Sequence, residues 1–240
     1  MSLTQTIGRP IRLCSIFDVD ITVDVGFVGL LAVSFISVAI QSKDAALGLE
    51  YAALIALFFL VHEFGHALMA KRFTLKPAVH LSLLSGFCKH EGAQSPTQHA
   101  LILVAGGGTG IIVGLLFYIG QLALVNNSSP ATFNQYTDLM FKVMRWSIWL
   151  NLANLCLPIY SLDGGQLFDI AVRRCVQSET RASVIVHSVG FVLACAVALY
   201  GATYGQYFLA GIAFMLMVEN AQHWNIAMTR SRPQPFVDQV

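Results

Sequence analysis

The sequence predicts an all-α polytopic membrane protein with about six transmembrane helices, a short N-terminal surface strand and a membrane-associated β-hairpin. Of its 240 residues, 56% are hydrophobic and only 11% are charged, whereas soluble domains carry roughly 25% charged residues. Because the deficit of charge extends over the whole length, we expect a single membrane-embedded domain over residues 1–240. The formal net charge of +1 gives no indication of a nucleic-acid partner.

The transmembrane helices are assigned from apolar stretches, since a helix needs about 20 apolar residues to cross a bilayer. The candidate spans are residues 25–41, 48–70, 99–125, 139–160, 183–200 and 204–222.

Two segments outside these spans have strand-like patterns. Residues 16–25 (IFDVDITVDV) alternate apolar and polar side chains, which predicts a short strand at the membrane surface before the first span. Residues 77–97 are too short and too polar to span, and their β-like run is followed by Ser85-Gly86 and a polar return. This pattern predicts a β-hairpin.

The distribution of basic residues predicts the orientation, since cytoplasmic loops are enriched in Lys and Arg. Eleven of the 14 Lys and Arg residues lie in four segments, at 1–24, 71–98, 161–182 and 223–240. Both termini should therefore be cytoplasmic. The expected location is the bacterial inner (cell) membrane.

The second span contains three ionisable residues within HEFGH, residues 62–66. On a helix, this spacing places His62 and His66 one turn apart on one face, where both can bind one zinc ion. Glu63 can then act as general base on a zinc-bound water. The alternative is that the histidines only pack and that Glu63 faces a neighbour. Burial favours the metal site, because a charged side chain at the bilayer centre costs about 2.5–3.5 kcal/mol and ionisable residues there are functional by default.

A catalytic zinc usually has three protein ligands, and the next candidate is Asp163. The fourth apolar span ends at Pro158, which puts Asp163 at the cytoplasmic membrane edge, at the depth of His66. The two glycines that follow allow a sharp turn and a close backbone approach. Asp-Gly is also a common turn dipeptide. Together with HEFGH at matching depth, the ligand interpretation is preferred.

With these two motifs, the sequence resembles the site-2 protease family of intramembrane zinc metalloproteases. HEFGH (62–66) and LPIYSLDGG (157–165) occur in the family's order, and the predicted strand and hairpin resemble elements of that family. The resemblance implies one zinc ion per chain, with a water in the fourth position. It also implies that Glu63 takes the proton of that water and later protonates the leaving amine. The zinc ligands would be His62, His66 and Asp163.

The chain departs from the family pattern at an asparagine that is thought to hold the substrate or the developing oxyanion. The family places it three residues before the proline, where this chain has Leu155. Asn154 is one residue earlier, and Asn151 lies one turn from Leu155 on the same helix face. Either could substitute, and Asn154 is favoured because Pro158 can distort the helix.

A second departure is AGGGTG (105–110), which stands where the family has an Ala-Gly-Pro turn. Gly106, Gly110 and Gly114 recur every four residues. This spacing indicates a small-residue face suited to close helix packing in lipid.

The resemblance implies hydrolysis of a peptide bond in or next to a transmembrane segment of a membrane-anchored protein substrate, as in regulated intramembrane proteolysis. The 16–25 strand and the 77–97 hairpin are candidates for pairing with an extended substrate; the alternative is that both are surface loops. A different class of function is a non-proteolytic zinc-binding membrane protein, such as a metal carrier. A third is an enzyme that attacks a lipid or small molecule. A carrier should show acidic or histidine residues along several spans, whereas here the ionisable residues concentrate at one end of two spans, with Glu219 the main exception.

Overall fold

The computed structural model describes residues 10–82, 87–89, 95–126 and 135–230. Within these residues the chain is mostly helical, as the composition predicted, with seven helices and four short strands. It divides into two compact units, Met1–Ala153 and Asn154–Val240. The assignment of residues 1–240 to one domain stays a prediction.

In the first unit, helices α1 (Val25–Ser42) and α2 (Ala45–Arg72) are close neighbours. Both begin after an aspartate N-cap, Asp24 or Asp44, whose carboxylate accepts a backbone N–H of the first turn. Gly48 allows close contact, because a Cβ there would lie 2.7 Å from a backbone oxygen of α1. Helix α3 (Pro96–Asn126) packs against α2, and α4 (Gln135–Cys156) follows. Buried side chains of α2 and α4 form an apolar cluster of Leu54, Phe58, Val143 and Met144.

The short strand predicted within residues 16–25 is confirmed as β2 (Val19–Val23), and it is one half of a β-hairpin whose other strand was not predicted. Strand β1 (Ile11–Ile16) pairs antiparallel with β2 (Val19–Val23). Phe17 and Asp18 form the two-residue turn with φ of 52° and 56°, the positive values that a type I′ hairpin turn requires. The turn was missed because the apolar–polar alternation runs across it and phenylalanine is not a turn-forming residue.

The hairpin predicted within residues 77–97 is confirmed in its two strands. Strands β3 (Ala78–Leu81) and β4 (Phe87–Lys89) pair antiparallel, whereas the predicted Ser85-Gly86 turn lies outside the described residues. Strand β2 pairs parallel with β3, so both hairpins form one sheet in the order β1-β2-β3-β4. The sheet packs its inward side chains against Ala67 of α2; these are Val19, Ile21, Val23, Val79 and Leu81.

The second unit contains helices α5 (Asp163–Cys175), α6 (Glu179–Thr203) and α7 (Tyr207–Arg230). Helices α6 and α7 form a hairpin whose connection includes Gly205, with φ of 71°, an angle that glycine adopts without strain. Beside this connection a Cβ on Gly201 would lie 2.8 Å from the backbone nitrogen of Ala210. The two helices therefore touch along their backbones at this end, and α5 packs against α6.

Within the part of the chain that the structure describes, four helices are long and apolar enough to cross a membrane: Val25–Ser42, Ala45–Arg72, Pro96–Val125 and Glu179–Thr203. They correspond to four of the six predicted spans, which makes the chain an integral membrane protein. The predicted spans 139–160 and 204–222 fall on α4 and α7, which do not reach that apolar character. Charged and amide side chains interrupt both helices: Asp138, Lys142, Arg145, Glu219, Asn220 and Asn225. A total of six spans stays a prediction.

Candidate metal centre

The HEFGH motif lies in the C-terminal half of α2, as the sequence predicted. The rings of His62 and His66 are nearly perpendicular, with centroids 4.7 Å apart, and their Nε2 atoms are 3.1 Å apart. Glu63 Oε1 is 4.0 Å from His62 Nε2, and only 2% of Glu63 is exposed. Among the described residues, these three side chains are the one group of His, Cys, Asp or Glu whose ligand atoms all lie within 4.8 Å of one another.

Each histidine uses its other ring nitrogen in a hydrogen bond. His62 Nδ1 donates to Asn151 Oδ1 at 2.7 Å, and His66 Nδ1 donates to the Ile102 carbonyl at 2.7 Å. Because both partners are acceptors, each Nδ1 carries a proton, and a metal would be bound through Nε2. The two Nε2 atoms face each other across a short gap. This donor set fits a zinc ion, whose histidine ligands characteristically donate the second ring N–H in this way.

The glycines of α3 make room for this arrangement. A Cβ on Gly106 would collide with the ring of His66, and a Cβ on Gly110 would collide with the amide of Asn151. A Cβ on Gly114 would lie 2.8 Å from Ile148. The close packing predicted from the four-residue spacing is confirmed. The sequence did not reveal that Gly106 borders His66, or that Gly110 borders Asn151, the hydrogen-bond partner of His62.

Asn151 is 7% exposed and both ends of its amide are engaged. Its Oδ1 accepts from His62, and its Nδ2 donates to the Ser147 carbonyl at 2.9 Å. The sequence indicated Asn151 only as an oxyanion donor, and its contact with His62 was not predicted. The signal was weak, because the two residues are 89 positions apart and only the glycine at position 110 hinted that a polar side chain needed space on that face.

In the second unit, Asp163 is the first residue of α5 and is 7% exposed. Its Oδ2 accepts a hydrogen bond from Asn154 Nδ2 at 2.7 Å. Gly164 and Gly165 allow the start of α5 to touch the preceding loop: a Cβ on Gly164 would lie 2.5 Å from the Leu155 carbonyl oxygen, and one on Gly165 would collide with Ile159. Neither glycine has a positive φ, so the pair serves close approach and not a left-handed turn.

Strand β4 is the edge of the sheet that packs against α2. Burial, with a further contribution from the nearby Glu63 carboxylate, raises the pKa of Cys88 to about 12. Cys88 also packs beside the apolar cluster that joins the sheet to α2. The hairpin therefore runs beside the helix that carries HEFGH.

No protein-family model matches the chain, and no curated protein sequence matches it. The fold is similar to the solved structure of a site-2 protease from Methanocaldococcus jannaschii, with a TM-score of 0.66. The similarity covers 90% of this chain and 95% of that one, at 19% sequence identity. The resemblance inferred from the two motifs is thus confirmed at the level of the fold.

Proposed function

We propose that this protein is an intramembrane zinc metalloprotease that hydrolyses a peptide bond in or next to a transmembrane segment of a membrane-anchored substrate. The observation that carries the proposal is the pair of facing Nε2 atoms of His62 and His66, with the buried Glu63 beside them, on an apolar helix. Burial of an ionisable group in an apolar helix costs free energy, so such a group is expected to have a function. The site-2 protease fold makes peptide hydrolysis the best-supported function.

Asp163 is proposed as the third zinc ligand. The sequence motif around it supports this role, and so does the hydrogen bond from Asn154, because an amide donor stabilises the carboxylate form that binds metal. Its place in the first turn of α5 acts in the same direction, since the N-terminal end of a helix favours negative charge.

The chain's own residues would divide the chemistry between them. Zinc, when bound, would supply Lewis acidity that polarises the scissile carbonyl and lowers the pKa of water. Glu63 would accept a proton from the attacking water and return it to the leaving amine. His62 and His66 would hold the metal in a fixed orientation, because Asn151 and the Ile102 carbonyl fix their rings. The assignment of Asn151 or Asn154 as an oxyanion donor stays a prediction.

Strand β4 is the proposed docking edge for the substrate. A transmembrane helix hides its peptide carbonyls in hydrogen bonds, so the scissile segment has to be extended before hydrolysis. An extended segment can add to the open edge of a sheet, and β4 is an edge strand that packs against α2. The other edge strand, β1, has a register irregularity between Arg12 and Cys14, which is typical of edges that resist pairing.

The spanning helices give little support to the metal-carrier alternative. A carrier needs acidic or histidine ligands along several spans, but α1 contains no Asp, Glu or His, and α3 contains only His99, near its first residue. The proposed orientation, with both termini and the zinc site on the cytoplasmic side of the bacterial inner membrane, rests on the concentration of Lys and Arg in four segments.

The test is a comparison of membrane proteomes from cells that contain the wild-type protein or Glu63→Gln. We expect at least one membrane-anchored protein to accumulate uncut in the variant, and its new terminus in wild-type cells should map in or beside a transmembrane segment. Lys76→Gln, a change at a surface residue of the loop after α2, is the matched control. Identical cleavage products in the two strains would contradict a proteolytic function.

A further inference from the structure

The segment 157–162, which links α4 to Asp163, is held from within by its own backbone. The Ile159 N–H donates to the Leu157 carbonyl and the Leu162 N–H to the Ile159 carbonyl, both at 2.8 Å. Ile159 is 1% exposed. Because the segment is this compact, any contact that fixes one of its residues also fixes where α5 begins.

Side chains from α6 and α7 hold the same segment from outside. Ser161 Oγ donates to Glu219 Oε2 at 2.9 Å. The ring of Tyr160 packs against His187 and His223, with centroid distances of 4.6 and 5.3 Å. Gly190 of α6 lies beside Ile159, since a Cβ added at Gly190 would be 3.4 Å from the Ile159 Cα. Three consecutive residues, at two to four positions before Asp163, are therefore anchored.

Glu219 is the unusual member of this group. It lies in α7, in a largely apolar stretch, and its side-chain oxygen Oε2 accepts the hydrogen bond from Ser161. An ionisable side chain in such a helix is expected to have a specific partner and a role. Within the described residues Glu219 does not belong to a group that could hold a metal, so its contact with the Asp163 segment is the role that the geometry offers.

We propose that Glu219 is a positioning residue for Asp163: through its hydrogen bond with Ser161 it holds the segment 157–162, and thereby the Asp163 carboxylate, in the place required for zinc. This inference rests on the proposed function, because it takes Asp163 as a zinc ligand. Glu219 itself contacts neither metal nor substrate. Its effect is on how long zinc stays bound.

The experiment measures the rate of zinc release from the purified full-length protein to an excess of a chromogenic chelator. Contacts that orient a metal ligand typically contribute 10–100-fold to metal affinity. We expect Glu219→Ala and Ser161→Ala to accelerate release by about that factor, and the double variant to be no faster than either single one. Glu219→Gln should stay close to wild type, because its amide oxygen can still accept the Ser161 hydroxyl.

Two reference variants separate the possible outcomes. Ala213→Gly weakens the same helix α7 without touching the Ser161 contact, so it should lower the melting temperature and leave zinc release unchanged. Asp163→Asn should accelerate release more than any other variant. Slow, wild-type release from Glu219→Ala, when Asp163→Asn is fast, would overturn the positioning role and leave the proposed function intact. Equal acceleration by Ala213→Gly would show that the loss of Glu219 acts only by weakening the helix, and it would also overturn the positioning role. Unchanged release from Asp163→Asn would overturn the ligand assignment itself, and this inference with it.

Discussion

The two motifs of the proposed zinc site place their ligands in different ways. His62 and His66 are one turn apart on α2, so the helix itself sets the spacing of their Nε2 atoms. Asp163 follows a six-residue loop, and its position depends on the loop's anchors and on Asn154. A regular helix can be inferred from sequence spacing, whereas a loop is positioned by tertiary contacts. If this contrast holds, the surroundings of His62 and His66 should be tightly packed, and Asn151 and Asn154 should act on zinc binding in different ways.

The largest expected difference is between two cysteines. Burial and the nearby Glu63 carboxylate raise the pKa of Cys88 to about 12, whereas an ordinary thiol has a pKa near 8.5. Only the thiolate is nucleophilic, so at pH 8 Cys88 should react with iodoacetamide about 10³-fold more slowly than an ordinary exposed thiol. The rate should rise about tenfold per pH unit between pH 7 and 9, because the thiolate is scarce below pH 12.

The measurement uses single-cysteine variants that retain Cys88 or Cys175, which is exposed at the end of α5. In detergent-denatured protein the two cysteines should react at similar rates. Equal rates in the folded protein would mean that the β4 hairpin leaves this side of α2 open to solvent.

A second difference concerns the two asparagines, which play opposite hydrogen-bonding roles. Asn151 accepts from His62, and Asn154 donates to Asp163. Replacement of either by alanine should weaken zinc binding about 10–100-fold. Replacement by aspartate should separate them. Asn151→Asp keeps an acceptor for His62 and should retain zinc, with a lower melting temperature because the donor to the Ser147 carbonyl is lost. Asn154→Asp places a carboxylate against Asp163 and should bind zinc less tightly than Asn154→Ala.

Zinc affinities from chelator competition check this prediction. The same effect of aspartate at both positions would show that the two amides do not have these separate roles. An oxyanion role for either asparagine would add a loss of turnover of about 10²–10³ in the zinc-loaded alanine variant, with Asn154 expected to lose more than Asn151.

The smallest difference is between two neighbouring glycines of α3. A Cβ on Gly106 would collide with the His66 ring, whereas a Cβ on Gly108 would meet nothing within 4 Å. Overpacking costs about 1–3 kcal/mol, so Gly106→Ala should lower the melting temperature and weaken zinc binding. Gly108→Ala should be neutral or stabilising by up to about 1 kcal/mol, since alanine favours the helix. If both variants melted alike, the close contact between α3 and His66 would be wrong.

The same contrast explains how much the sequence could predict. Features of single helices could be predicted from the sequence. The four apolar helices follow from the apolar stretches, and the HEFGH face and the glycine face of α3 follow from helical spacing. Features that depend on distant residues were not. The contact between Asn151 and His62, the parallel pairing of β2 with β3 and the bond between Ser161 and Glu219 each join residues more than 50 positions apart. The turn at Phe17 and Asp18 escaped for a local reason, because its residues are not those that favour such turns.

The most direct test of the central claim is zinc content and turnover measured together on purified Glu63→Gln and His66→Ala. The substrate is the protein that accumulates uncut in cells carrying Glu63→Gln. In the proposed mechanism Glu63 is a base and not a ligand, so Glu63→Gln should retain one zinc per chain and lose turnover by about 10²–10⁴-fold. His66→Ala should lose both. Normal turnover by zinc-loaded Glu63→Gln, or full zinc content in His66→Ala, would contradict the account.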